Sequence, residues 1–292
     1  MSFPASATEP GLQARVAELL AAGSLEILPR ELHRAGEAGA ILPKDTCVYI
    51  PSLPGLPLAR TLEAVAAIRA AGLDPVPHVS ARRILSRAEF SAFLKTAATA
   101  YGVHRVMLIG GDEPEPKGPF RDSLQILEEG VLAEAGIREI GVAGYPEGHP
   151  RISREELETA FRNKMRLARE QGLGLYVVTQ FCFAPARVVE FCAHLARIAP
   201  AVMVYVGVAG PTDPVALARY AQRCGVSVSL RALRNLGTGI AKLVTHTDPG
   251  EQLLAVARYS AMREPSNVVG LHLFSFGGVV RTATWMRERI AT

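Results

Sequence analysis

Short runs of apolar, mostly β-branched residues recur along this chain, and longer stretches with helical periodicity separate them. Runs of this length, bounded by glycine, proline or polar residues, are typical of buried strands. They predict eight strands, over residues 24–28, 46–50, 74–78, 104–109, 138–143, 173–179, 201–206 and 268–275.

The stretches between these runs place apolar residues at positions i, i+3, i+4 and i+7, which is the repeat of an amphipathic helix. N-cap signals at Ser86, Ser153 and Thr212 mark the starts of three of them. Further helical material within residues 230–262 is expected to form a helix pair. The predicted helices cover residues 60–71, 86–101, 120–135, 153–171, 185–198 and 213–223.

Eight apolar strands, nearly all followed by a helix, indicate parallel strands joined by crossover connections. The predicted fold class is therefore α/β, a (β/α)8 TIM barrel in which residues 1–292 form a single domain with extra helices before the last strand. A doubly wound open sheet is the competing fold. Against that sheet, no GxGxxG motif opens any helix, and 292 residues suit eight βα units.

The composition, 49% apolar and 21% charged with a net charge of +4, is that of a globular protein. Basic residues are scattered and form no run of five, so we expect no nucleic-acid partner. A mild positive field still favours an anionic substrate or cofactor.

The four cysteines form no CxxC pair and no metal-like pairing with histidines, so we expect buried free thiols and no metal. No apolar stretch reaches the ~18 residues of a membrane span. The first ten residues lack the basic start and apolar run of a signal peptide. These features predict a cytoplasmic protein with no membrane partner.

A barrel carries its chemistry at the carboxyl ends of its strands. Several polar side chains fall at or just beyond the ends of predicted strands, and we expect them to converge on one mouth. These residues are Glu26, His78, Asp112, Tyr145, His149 and Gln180.

Glu26 lies between Leu25 and Ile27 in the first predicted strand. Desolvation in such surroundings raises the pKa of a carboxyl group, and this keeps a general acid protonated near neutrality. A structural carboxylate paired with a neighbouring arginine is the alternative.

Asp112 directly follows Gly110 and Gly111, which let the backbone approach a ligand closely. An ordinary Gly-Gly-Asp turn is the alternative. His78 closes the string PVPHVS, where a packed histidine is the alternative to a functional one.

Two further strings carry rings and an amide. GYPEGHP at 144–150 holds Tyr145 and His149 at fixed places, unless it is only a rigid surface loop. In TQFCF at 179–183, Gln180 is suited to bind a heteroaromatic edge while Phe181 or Phe183 stacks on its face. As an alternative the phenylalanines are core residues, and this is the expectation for Phe183.

In this order, the strings resemble those of the methylenetetrahydrofolate reductase family. The resemblance runs from about residue 20 to about residue 235 and includes SLEILPRE, TLEAVAAIRAAGLDPVPHVSAR, LIGGDEP, IGVAGYPEGHP and VVTQFCF. It implies a flavin-containing (β/α)8 barrel that acts on a folate.

The resemblance also implies roles for single residues. Glu26 matches the acid that protonates the folate ring nitrogen as the imidazolidine ring opens, and Asp112 matches the carboxylate that stabilises the resulting iminium cation. Gln180 matches the amide on the pterin edge, with Phe181 beside it. The cofactor-binding residues it implies are His78, Gly111, Asp112, Tyr145, His149, Lys164 and Arg169.

The sequence departs from the family's pattern where the flavin is expected. The family's Arg-Gly-Asp is here Gly110-Gly111-Asp112, and its Tyr-Ala pair is Phe120-Arg121. The helix expected to contact FAD offers only Lys164, Arg166 and Arg169 as phosphate partners. Near the C-terminus, residues 274–278 (FSFGG) replace the family's Tyr-Thr-Leu-Asn-Arg string, which removes a folate-contacting arginine.

The implied function is reduction of 5,10-methylenetetrahydrofolate to 5-methyltetrahydrofolate with NAD(P)H, through FAD. The expected partners are the folate and, in a homo-oligomer, other copies of the chain. Three alternatives stay open: the reverse oxidation, direct hydride transfer from NAD(P)H without flavin, and a folate-binding barrel that is not an enzyme. An unrelated barrel, such as an aldolase or a pterin methyltransferase, is a further alternative. The aldolase is disfavoured because it needs a lysine at a strand end and no predicted strand contains one.

Overall fold

The computed structural model describes residues 8–212, 214–223, 226, 249–263 and 265–291. Its strands form a closed barrel in which each strand lies beside the strands that precede and follow it in the chain, and the last strand pairs with the first. The strand pairs whose register is known are parallel. This confirms the predicted (β/α)8 barrel. The strands are β1 (Ser24–Glu26), β2 (Cys47–Ile50), β3 (Asp74–Ser80), β4 (Arg105–Ile109), β5 (Glu139–Gly144), β6 (Gly174–Thr179), β7 (Met203–Ala209) and β8 (Val268–Phe274).

Helices follow most of the strands, as parallel pairing requires. Short 3-10 segments lie at Pro29–Arg34 and Ala81–Arg83. The helices in the described residues are α1 (Glu9–Ala21), α2 (Ala35–Ile41), α3 (Leu58–Ala70), α4 (Arg87–Tyr101), α5 (Ser123–Glu128), α6 (Val131–Glu134), α7 (Arg154–Glu170), α8 (Pro185–Ile198), α9 (Pro214–Arg223), α10 (Gly250–Ala261) and α11 (Val279–Ile290).

The chain divides into two compact units. The first unit consists of Met1–Glu26, Gly144–Pro150 and Val177–Thr292, and the second of Ile27–Ala143 and Arg151–Tyr176. The single-domain organisation of the chain stays a prediction.

In the first unit, α1 packs against α10, α11 and β8. Aromatic rings fill part of its interior: Phe181 meets Phe183, Phe274 and Phe276 at ring-centroid distances of 5.2–5.8 Å. Such edge-to-face contacts add to the stabilisation that apolar burial provides.

In the second unit, the hydroxyl groups of Tyr49 and Tyr176 lie 3.0 Å apart inside the strand layer. The guanidinium group of Arg105 lies over the Tyr176 ring, 5.3 Å from its centroid. Because these hydroxyl groups are buried, their mutual hydrogen bond offsets part of the cost of removing them from water.

Two of the three predicted N-caps are confirmed. The Ser86 side chain accepts a hydrogen bond from the Glu89 amide, and Ser153 forms a reciprocal capping box with Glu156. The prediction at Thr212 depends on residue 213, which lies outside the described residues.

Several predicted boundaries were wrong. The first strand ends at Glu26 rather than at residue 28, because Pro29 begins a 3-10 turn. The predicted helix 120–135 is two short helices, divided at Gly130, whose φ of 70° no helix accommodates. The helices α1, α2 and α11 were not predicted.

The extra helical material before the last strand is present as α10. Residues 230–248 of that segment lie outside the described residues, as does Cys224. Of the described cysteines, Cys182 and Cys192 are buried free thiols as predicted, whereas Cys47 is only half-buried. No helix among the described residues has the length and apolar character needed to cross a membrane.

Candidate active site

In the first unit, the pairing of β1 with β8 sets Ser24 opposite His272. Ser24 Oγ lies 2.8 Å from His272 Nδ1, and His272 Nε2 lies 3.6 Å from Glu26 Oε1. Ser24 and Glu26 are two residues apart on a strand and so share a face. With the proton on Nε2, the imidazole Nδ1 accepts a hydrogen bond from the Ser24 hydroxyl group, and the Nε2–H is directed toward Glu26.

This group is well shielded from solvent. The His272 side chain is 1% exposed and that of Glu26 is 14% exposed. The Glu26 carboxyl group at the end of β1 is thus largely shielded from solvent, and the buried His272 ring lies near one of its oxygens.

Gln180 follows β6 in the first unit and is half-buried. Its backbone N–H donates to the Gly144 carbonyl, 2.8 Å away, and its side-chain oxygen accepts a hydrogen bond from the Phe181 amide at 3.1 Å. Gln180 lines a cavity of about 10 Å³ together with Tyr145 and Phe181. That volume holds about one water molecule. A pterin edge therefore requires these side chains to move apart.

The sequence predicted Phe183 to be the core residue of the two phenylalanines after Gln180, but Phe181 is the more deeply buried. Phe181 is only 1% exposed and belongs to the buried aromatic cluster, whereas Phe183 is half-buried at its edge. Phe181 thus occupies the position of a core residue, and Phe183 is the better placed of the two to stack on a ligand.

Tyr145 and His149, also in the first unit, lie against each other. Their ring centroids are 5.0 Å apart with an interplanar angle of 76°. The Gly148 amide donates to the Tyr145 carbonyl and closes the turn between them, and Gly148 has a φ of 82°. The turn that Gly148 closes thus brings the two rings together.

In the second unit, His78 lies inside β3 rather than at its end, because the strand continues to Ser80. Its ring meets the Tyr49 ring edge-on, with centroids 5.9 Å apart. His78 is half-buried, while its neighbours Pro77 and Val79 are buried.

The turn after β4 requires the glycine at position 111. Gly111 has a φ of 98°, and a Cβ built on it would lie 2.4 Å from Ser80 Oγ and 3.1 Å from Glu113 Oε2. The next side chain, Asp112, is 89% exposed, with Arg83 and Arg151 each 3.9 Å from one of its carboxylate oxygens. The turn presents a charged carboxylate to solvent between two arginines.

Arg83 forms a shielded ion pair with Glu113 in the same unit. Its Nε lies 2.6 Å from Glu113 Oε1, and the two side chains are 12% and 10% exposed. Burial by itself would raise the pKa of Glu113, but the hydrogen bond and charge of Arg83 hold that pKa below its usual value. Glu113 is therefore ionised at neutral pH.

The predicted phosphate partners lie on α7. Lys164 is half-buried, and desolvation lowers the pKa of its ammonium group, against the opposing attraction of Asp122. Arg166 pairs with Glu170 at 2.8 Å, while Arg169 is exposed in the last turn. Arg166 and Arg169 are thus both exposed, and Arg166 is already paired with an acidic residue.

The residues of the second unit fit a heteroaromatic cofactor. Ser80 Oγ and Glu113 Oε2 are buried, and neither has a hydrogen-bond partner among the described residues. A Cβ built at Gly110 meets no described atom within 4 Å, so the space beside that residue is open. Buried polar groups of this kind are suited to the polar edge of a ring system such as that of a flavin.

Sequence reasoning missed four residues of these groups: Ser24 and His272 in the first unit, and Arg83 and Glu113 in the second. His272 carried the same signal as Glu26, since it is a polar residue within the apolar strand VVGLHLF. The described residues contain no cluster of three His, Cys, Asp or Glu side chains that could hold a metal ion.

A closed parallel barrel with a shielded carboxyl group at the end of β1 and a buried imidazole beside it has the organisation of a (β/α)8-barrel enzyme. Residues 55–273 match the family described as Methylenetetrahydrofolate reductase. Since this match covers most of the chain, the protein belongs to the methylenetetrahydrofolate reductase family, and it is an oxidoreductase acting on folate.

Among solved structures, the chain is similar to dihydropteroate synthase from Thermus thermophilus, with 16% sequence identity, coverage of 92% of this chain and 91% of that one, and a TM-score of 0.46. It is also similar to 3-dehydroquinate dehydratase from Geobacillus kaustophilus (15% identity, 66% and 75% coverage, TM-score 0.40). The corresponding enzyme from Aquifex aeolicus gives 10% identity, 68% and 85% coverage and a TM-score of 0.42. Nothing about the chemistry of this chain follows from similarities at this level.

Proposed function

We propose that this protein reduces 5,10-methylenetetrahydrofolate to 5-methyltetrahydrofolate, with NAD(P)H as the source of hydride and FAD as cofactor. Family membership supports a folate-linked oxidoreductase. The observation that carries the proposed reaction is the shielded carboxyl group of Glu26 at the end of β1, which lies 3.6 Å from the buried His272 ring. An acid at such a place is what opening of the imidazolidine ring requires.

Glu26 is proposed to protonate the folate ring nitrogen as the methylene bridge opens. Its shielding limits competition from water, and the His272 N–H orients the carboxyl group by approaching one of its oxygens. General acids of this kind contribute roughly 10²- to 10⁴-fold to a rate.

Asp112 is proposed to stabilise the iminium cation that follows ring opening, through the negative charge that its turn presents. Gln180 is proposed to hydrogen-bond the pterin edge, and the small cavity beside it is where binding would begin. The stacking role expected of Phe181 is better served by Phe183, because Phe181 is enclosed by other rings.

When bound, FAD would carry hydride between the nicotinamide and the folate. The residues of the second unit proposed to hold its ring system are His78, Gly111 and Asp112. Lys164 and Arg169 are proposed to hold its diphosphate. Because Lys164 is partly desolvated and Arg166 is already paired, we expect FAD to bind weakly and to be partly lost on purification.

The test is steady-state reduction of methylenetetrahydrofolate by protein stripped of flavin, with the visible absorbance band of flavin used to show that none remains. Activity with NAD(P)H that returns on adding FAD supports the proposal. Full turnover by the stripped protein would contradict the role of FAD and support direct hydride transfer. Running the assay from methyltetrahydrofolate determines which direction is faster.

Absence of turnover in both directions, together with tight folate binding in equilibrium dialysis, would instead support the non-enzymatic folate-binding barrel. A cytoplasmic location and a homo-oligomeric state stay predictions.

A further inference from the structure

Arg83 connects three loops of the second unit. The residue itself follows β3, its Nη1 donates to the carbonyl of Ser52 in the loop after β2, and its Nε donates to Glu113 in the loop after β4. Its Nη2 lies 3.9 Å from Asp112 Oδ2. One guanidinium group thus ties the ends of three consecutive strands together.

We propose that Arg83, through its ion pair with Glu113, is a positioning residue for the carboxylate of Asp112. The inference rests on the proposed role of Asp112 and extends it, because nothing in the family resemblance assigns Arg83 or Glu113 a role.

The contacts of the Asp112 side chain are too long to fix the position of its carboxylate. Its side chain is 89% exposed, and its two described charge contacts are arginine nitrogens at 3.9 Å, beyond hydrogen-bond distance. The location of its carboxylate therefore depends on the backbone turn that carries it.

That turn is fixed by its neighbours. Gly111 precedes Asp112 with a φ of 98°, and the Glu113 side chain that follows packs back over Gly111, with Oε2 3.1 Å from where a Cβ would lie. Arg83 holds the other oxygen of Glu113 at 2.6 Å. Releasing Glu113 would free the packing that keeps this turn closed.

Arg82 anchors the backbone on both sides of this turn and farther along the loop, so the contribution of Arg83 is confined to the Glu113 side chain. The backbone of Arg82 binds the Gly110 carbonyl and the Lys117 amide at 3.0 and 2.9 Å. Its side chain donates to the carbonyls of Glu113 and Arg121, both at 2.8 Å. The loop thus stays anchored when only the Arg83 contact is removed.

A double-mutant cycle on kcat for folate reduction tests the proposal. Arg83→Gln is expected to lower kcat on the order of 10- to 100-fold, the effect of misplacing a reacting group by about 1 Å, with KM for folate little changed. In an Asp112→Asn background the same substitution is expected to change kcat by less than about twofold, because the arginine acts through that carboxylate. Arg83→Lys keeps the charge without the fork of donors and should recover part of the loss.

Arg105→Gln is the matched control. Arg105 forms a similarly shielded pair with Glu139 in the same unit, at the amino ends of β4 and β5, with side chains 17% and 29% exposed. The Arg105→Gln variant should lower the thermal midpoint of unfolding as much as Arg83→Gln does and leave kcat unchanged. Should Arg83→Gln fail to fold, Glu113→Gln, which keeps a neutral acceptor for Arg83, replaces it in the same cycle.

Equal effects of Arg83→Gln in the wild-type and Asp112→Asn backgrounds would overturn the inference, as would wild-type kcat in Arg83→Gln. Wild-type kcat in Asp112→Asn would instead contradict the proposed role of Asp112, and this inference with it. The two failures are therefore distinguishable.

Discussion

His272 Nε2 lies 3.6 Å from Glu26 Oε1, and this histidine is among the most deeply buried polar residues of the first unit. The sequence left an arginine as the alternative partner of Glu26. A neutral histidine differs from an arginine in that one ring nitrogen donates a hydrogen bond and the other accepts one. His272 can therefore lie against the Glu26 carboxyl group through one nitrogen while Ser24 occupies the other.

Glu26→Gln should preserve the fold and folate binding and lower kcat by roughly two to four orders of magnitude, because the amide has no proton to donate as an acid. Steady-state kinetics and a folate-binding titration measure the two effects. Glu18→Gln, at an exposed carboxylate of the same unit, is the control and should be silent. Near-normal kcat in Glu26→Gln would remove this residue from the mechanism.

His272→Gln should lower kcat on the order of tenfold, a smaller loss than in Glu26→Gln, because the acid remains but loses its orienting partner. Ser24→Ala should cost less again, since it affects only the tautomer of the histidine. In a Glu26→Gln background, His272→Gln should add little. His104→Gln, at a histidine exposed to solvent, is the control. A full additional loss in the double variant would show that His272 acts independently of Glu26.

Gln180→Ala should weaken folate binding by about tenfold, the value of one lost hydrogen bond, and change kcat little, because the amide contacts ground and transition states alike. Dissociation constants from fluorescence titration and kcat from initial rates separate the two. Gln13→Ala on the exposed face of α1 is the control. A drop in kcat with unchanged binding would contradict the assignment to the pterin edge.

The stability of the protein should fall at alkaline pH because of its buried thiols. Burial raises the pKa of Cys192 from 9.0 to about 12. The unfolded chain releases this proton near pH 9 while the folded protein retains it, so the free energy of unfolding decreases as pH rises through this window. Each pH unit is worth about 1.4 kcal/mol per thiol at most.

Urea unfolding at a series of pH values measures this slope, which should be shallower in Cys192→Ala. Leu195→Ala, in the same helix, should lower the stability without changing the slope, since it removes buried apolar volume but no titrating group. Identical slopes in wild type and Cys192→Ala would show that the thiol is not the titrating group.

The repeat of apolar positions was enough to predict the barrel and the approximate place of every strand. A strand buried on both faces must be apolar throughout, so its signal is local and survives without knowledge of its neighbours. The same contrast singled out Glu26 as a candidate site residue, because its carboxyl group lies among leucine and isoleucine side chains. Element ends were less well predicted, since Gly130 and Pro29 act through single backbone conformations that periodicity does not report.

What the sequence determined by itself is therefore the order of elements and the polar residues that stand out within them. Only the tertiary structure decided which of them meet. Ser24 and His272 are 248 residues apart and touch because β8 pairs with β1 in one particular register. Arg83 reaches Glu113 across 30 residues because two successive loops fold over the same glycine. A shift of the β1–β8 register by one residue would turn the Ser24 side chain away from that of His272, and strands that are apolar throughout carry no local pattern that fixes this choice.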